Sequence, residues 1–246
     1  MKTLVHGDAG LQKVGFNPQA VDRTRRTAVV AGVLFIIATV ASLVAAALKP
    51  ALTGTDYLTR VSGHTNQVAA AAFFYVIAAL ASAAIAVALY PVLKKTSVGQ
   101  ALGSVVFRAL EATMYMVAVV GLLAVQTLGT RFSTAGAAER ISLQETADQW
   151  VNVRDHASLL GVFAFCLGAF IYYSLFYRSR LIPRWLSGWG IVAIILMAVA
   201  CVLALFSDNP ITGYVLLAIP IAVQEMVLAV WLIAKGFSSP GAEPGA

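Results

Sequence analysis

Charged side chains are scarce in this chain. Asp, Glu, Lys and Arg make up 11% of its 246 residues, while 60% are hydrophobic. Soluble domains carry about 25% charged and about 45–50% apolar residues. So few ionisable groups cannot cover the surface of a water-soluble fold this size, and that class is excluded. Cysteine is nearly missing too, with only Cys166 and Cys201, both inside apolar stretches. No disulfide framework, CxxC redox pair or haem-attachment motif can be built from them. They read as small hydrophobes. Walker, glycine-rich phosphate and nucleophile-elbow motifs are absent. No lysine lies in mid-span, which removes a retinal Schiff base. With only His64 and His156 near the membrane, a zinc hydrolase built on three histidines is excluded, and neither metal nor cofactor is expected.

What is present is hydrophobic length. A bilayer core of about 30 Å needs about 20 apolar residues in a helix. Six stretches qualify: residues 28–48, 68–89, 105–128, 157–177, 186–206 and 214–234. Charge, proline or glycine bounds each one. Helices are the spans expected, because lipid offers no partner for open backbone groups. The net charge of +6 sits in short clusters between these stretches, a topology signal rather than a phosphate-binding face. Nucleic acid is therefore not an expected partner, and the lipid bilayer is.

Orientation follows from the basic residues. With the N-terminus inside, eleven Lys and Arg fall on the inner side: Lys2, Lys13, Arg23, Arg25, Arg26, Lys94, Lys95, Arg178, Arg180, Arg184 and Lys235. Five fall outside: Lys49, Arg60, Arg131, Arg140 and Arg154. The bias predicts both termini in the cytoplasm. Residues 1–26 are expected to be a disordered arm without a cleavable signal peptide, and 238–246 a disordered tail, flanking a transmembrane domain over 27–237. The fold expected is an all-α integral membrane bundle of six transmembrane helices. In the outer loop between the third and fourth spans, Ser142 and Glu145 form a capping box. Leu143, Ala147, Trp150 and Val153 follow at helical spacing. That pattern predicts a short amphipathic surface helix, with a solvated connector as the alternative. An inverted repeat of the two halves finds no support beyond shared Ala, Val and Leu.

Ionisable residues within the spans are costly enough to need a reason. Arg108 and Glu111 are three apart on one face of the third span, and Glu225 lies mid-way along the sixth beside Gln224. At 1.5 Å per residue Glu111 is about 10–12 Å from the inner end of its helix, and Glu225 about 15 Å from its own. The two acids are expected to share one layer, with Arg108 between them and the inner interface. Gln224 and Tyr115 join them as candidate ligand- or proton-binding residues. Pro220 leaves the carbonyl of Leu216 without its helical donor, an acceptor expected to line a polar cavity. The plainer alternative is a staple holding the third span to the sixth. At the outer face Asp56, His64, Asn66, Gln67, Asp155 and His156 form a weaker group. It lacks metal-ligand spacing, and the helix dipole accounts for Asp155.

Several of these residues carry a family resemblance. Arg108-Ala-Leu-Glu111-Ala112, His156 opening the fourth span, Tyr177-Arg178-Ser179 with Ile182-Pro183-Arg184, and Glu225 ahead of Trp231-Leu232 and Lys235-Gly236 stand in one order. The chain resembles the bacterial domain-of-unknown-function 4386 family over about Arg26 to Phe237. In that family's pattern a glycine often precedes the sixth-span Glu, where this chain has Gln224. The resemblance implies a six-helix protein of the bacterial cytoplasmic membrane with no assigned activity. It favours Arg108, Glu111, His156 and Glu225 as site residues and supplies no substrate. Three readings of function follow. The first is a bundle that binds or moves a small solute, ion or proton through the Arg108–Glu111–Glu225 layer. The second is a structural, accessory or sensor protein in which that layer is glue. The third is a membrane enzyme on a lipid or quinone, with His64, Asp155 and His156 as its only reactive group.

Overall fold

The computed structural model describes residues 18–207 and 209–238, with side chains described from Arg23 onward. Residues 1–17 of the expected arm and 239–246 of the expected tail lie outside the described residues. Among the described residues there are seven α-helices: α1 (Pro18–Leu48), α2 (Tyr57–Gly63), α3 (Thr65–Leu93), α4 (Val98–Phe132), α5 (Ala137–Ser179), α6 (Arg184–Leu205) and α7 (Val215–Ala234), the last preceded by a 3-10 turn, Ile211–Tyr214. Six of these segments are long and apolar enough to cross a membrane, and they contain the six expected stretches almost entirely.

The sequence sets where the helices stop. Ser97 starts α4 by accepting a hydrogen bond from the backbone of Gln100, an N-cap that satisfies one of the free donors of the first turn. Pro18 opens α1, a position where a missing N–H costs nothing. The helix therefore begins inside the expected arm, and residues 18–26 belong to it. At the other end of the chain Gly236 takes a left-handed backbone, φ +76, and its N–H bonds back to the Trp231 carbonyl. Pro91, just beyond the apolar stretch 68–89, lies within α3, which continues to Leu93.

The outer loop differs from expectation. α5 is one continuous helix of 43 residues, so no separate surface helix exists between the third and fourth spans. Ser142 and Glu145 are interior residues of α5, and Ser142 uses its carbonyl to accept from Thr146. Leu143 and Ala147 are buried. Ala147 packs in a satellite core with Tyr57, Leu58 and Val61 of α2 and Val119, Leu122 and Val125 of α4. Ala147 of the stripe thus packs between α4 and α2, a helix too short for hydropathy to reveal, while Val153 stays exposed. Tyr57 fixes the arrangement by donating to Asp148 at 2.7 Å.

The spanning helices form a closed ring. α1 packs on α3, α3 on α4, α4 on α5, α5 on α6 and α6 on α7, and α7 returns to α1. Glycines allow the closest approaches. A Cβ on Gly32 would stand 2.7 Å from the carbonyl oxygen of Ala229, so the backbones of α1 and α7 approach each other directly there. Arg25 seals that end by donating to the carbonyls of Leu232 and Ile233 at 3.2 and 2.7 Å. These are final carbonyls of α7, which a helix cannot satisfy itself.

Candidate functional site

A cavity of about 380 Å³ occupies the middle of the ring, and every spanning helix contributes to its wall. Its wall is apolar for the most part, with Ala38, Ile85, Val119, Phe165, Met197 and Ile221 among its residues. A few polar groups converge on it, the usual make-up of a small-molecule site.

Arg108 and Glu111 line this cavity and are almost fully buried, at 2% and 3% exposure. One turn of α4 puts them on the same face, and Arg108 Nη1 meets Glu111 Oε2 at 3.1 Å. Ser82 of α3 completes the pair. Its hydroxyl donates to Glu111 Oε1 at 2.8 Å, and its carbonyl accepts from Arg108 Nε at 3.3 Å. The guanidinium also lies over the Phe165 ring, 4.8 Å from its centroid, a favourable contact for a desolvated cation. Gly168 of α5 makes room for it, since a Cβ there would meet Arg108 Cγ at 3.1 Å. Isolated buried charges are prohibitively costly; here each charge has a counter-charge and a hydrogen bond to Ser82, while Arg108 Nη1 and Glu111 Oε2 have no hydrogen-bond partner among the described residues.

Glu225 faces the same cavity from α7. Its carboxylate accepts one hydrogen bond, from the Tyr172 hydroxyl at 3.2 Å. Among the described residues the ion pairs are Arg60–Asp56, Arg108–Glu111 and Arg154–Asp155, so Glu225 has no cationic partner. The expected geometry is therefore met in part. The two acids and the arginine share one cavity, but Arg108 pairs with Glu111 and α3, and among the described residues no ion pair joins the third span to the sixth. Tyr115 also lines the cavity, its ring packed so closely on Gly161 that a Cβ there would stand 2.7 Å away. Gln224 is fully buried and turns away from the cavity. It accepts from the Tyr173 hydroxyl and donates to the Leu186 carbonyl at 3.1 Å, which makes it a packing residue between α5, α6 and α7. Leu216, whose carbonyl Pro220 frees, is 77% exposed and is not among the lining residues.

Sequence reading missed Ser82 and Tyr172. Ser82 lies between Ala78 and Ala86 at helical spacing, a small-residue stripe that signals helix packing, and nothing in spacing shows that its hydroxyl meets an acid. Tyr172 carries no local signal. Arg154 was counted as an outer-loop charge, yet it lines the far end of the cavity with Tyr75 and Ser158.

The outer-face candidates do not assemble. His64 is exposed and engages the Arg60 carbonyl of its own turn at 2.8 Å. His156 does the same with Asn152 at 2.7 Å, and Asp155 pairs with Arg154. Asp155 and His156 border a second, smaller cavity that does not include His64. Among the described residues no group of three His, Cys, Asp or Glu is placed to hold a metal.

Six apolar helices in a ring with charges turned inward define a multi-pass α-helical membrane protein. The chain belongs to the DUF4386 family, whose model, described as a domain of unknown function, matches residues 30–236. No curated protein and no solved structure matches the chain.

Proposed function

We propose that this protein binds or translocates a small solute, ion or proton in the central cavity, and that Glu225 is the group that meets it. One observation carries the reading. Glu225 opens on a shared cavity with a single tyrosine hydrogen bond and no cation, whereas the Arg108–Glu111 pair is closed by Ser82. Intramembrane acids that lack a structural partner mark ligand or proton sites. The basic clusters at Arg23–Arg26, Lys94–Lys95, Arg178–Arg184 and Lys235 support a cytoplasmic location for both termini, in the inner membrane of a bacterium.

The structural reading draws on the Arg108–Glu111–Ser82 contacts, which do hold α3 to α4. Thermal unfolding of the purified protein separates the two. Under the binding reading Glu225→Gln keeps the parent's melting temperature or raises it. Glu111→Gln strands the buried arginine and costs about 3–5 kcal/mol. If Glu225→Gln unfolds the protein as Glu111→Gln does, both acids are glue and the binding reading fails.

A further inference from the structure

The α1–α7 seam is closed in one half of the bundle and open in the other. On α1, Arg25, Gly32, Thr39 and Ala46 are seven apart and so lie on one stripe. Arg25 caps α7 and Gly32 touches it. Thr39, one repeat further, lines the cavity, and Ala46 is exposed. The facing stripe of α7 behaves in the same way. Ala229 is 0% exposed against Gly32, Ala222 is exposed and lines the cavity, and Val215 is 57% exposed. Leu43 lies beside Thr39 on the same α1 face and is 64% exposed while also lining the cavity. The cavity therefore reaches the side of the bundle between α1 and α7, along segments apolar enough to lie in lipid.

Resting on the binding reading above, the geometry points to an amphipathic cation as the ligand, entering sideways from the bilayer through the α1–α7 opening. Its apolar body fits against Ala38, Val119, Phe165 and Ile221, and its positive group meets Glu225. Charge complementarity selects the sign. Arg108 is engaged by Glu111 and Ser82, and Arg154 by Asp155. The carboxylate of Glu225 is the lining acid with no cation at ion-pair distance among the described residues, the Arg108 charge reaching it only through space. A ligand that partitions into lipid meets the open seam directly and needs no aqueous route.

The test uses two ions of matched shape, tetraphenylphosphonium and tetraphenylborate, with the whole protein in nanodiscs and empty nanodiscs subtracting lipid partitioning. The parent is expected to bind the cation at least tenfold more tightly than the anion. Glu225→Gln removes that preference, and Ala222→Trp, which narrows the seam, slows cation binding at least tenfold. Equal binding, or preference for the borate, overturns the assignment of charge. An unchanged rate in Ala222→Trp overturns the lateral entrance. Absence of binding by either ion overturns the ligand class, while the binding reading is judged separately by the melting behaviour of Glu225→Gln.

Discussion

At the scale of single residues, the Ser82 hydroxyl is the contact most open to test. It supplies one of two partners to a buried carboxylate, and leaving such a group short of a donor costs about 1–3 kcal/mol. Ser82→Ala is expected to destabilise by that amount in chemical or thermal unfolding, and an unchanged melting temperature would show that Glu111 does not depend on it. Lys49 gives a pH-dependent case just beyond the end of α1. Burial, joined by the nearby charge of Arg154, pushes its ammonium down to about 8 from the usual 10.5. The unfolded chain then holds more protons than the folded one between those values, so stability rises with pH across that window. Below about pH 8 the charged lysine weakens the fold in full. Lys49→Met should accordingly be more stable than the parent at pH 7, with the gap closing toward pH 10.5. A gap constant from pH 7 to 10.5 would contradict this.

At the scale of elements, close helix approach depends on glycines whose neighbours cannot yield. A Cβ on Gly190 of α6 would stand 2.5 Å from the Tyr173 ring, and Tyr173 is held by Gln224. Gly190→Ala must shift a buried ring, an overpacking that costs about 1–3 kcal/mol; a neutral result in thermal unfolding would show that the ring is free to move. The six spans were legible because apolar length is a one-dimensional property. α2 was not, since seven residues fall below any hydropathy window. The continuity of α5 was hidden for a related reason. Hydropathy marks only the apolar stretch, whereas the helix extends wherever no breaker intervenes and a partner covers its extra turns. Here α4, which runs on to Phe132, is the main partner; α2 adds a hydrogen bond, and Tyr57→Phe, which deletes that bond to Asp148, should cost about 1 kcal/mol.

At the scale of the molecule, helix order and facing decide the site, and neither is written in composition. Counting rise per residue brought Arg108, Glu111 and Glu225 to one layer, and they do border one cavity. Which acid the arginine takes depends on side-chain direction, set by Ser82 on α3 and Gly168 on α5. The ring closure of α7 on α1 likewise follows from Arg25, Gly32 and Ala229 meeting in space, and it is what brings the six helices around one central chamber. The chamber's polar contents explain why so hydrophobic a chain keeps ionisable groups at mid-depth.

That chamber is best tested by single cysteines placed along the helices of a Cys166→Ala, Cys201→Ala background and treated with a small water-soluble thiol reagent in native membranes. The cavity-lining positions Ala118, Thr39 and Ala222 are expected to react. Val106 and Val120, exposed on the outside of α4 at 56% and 55%, should stay unmodified in the acyl chains. Equal protection at all five positions, or reaction at Val106 and Val120 instead, would contradict a water-filled central cavity walled by the six spans.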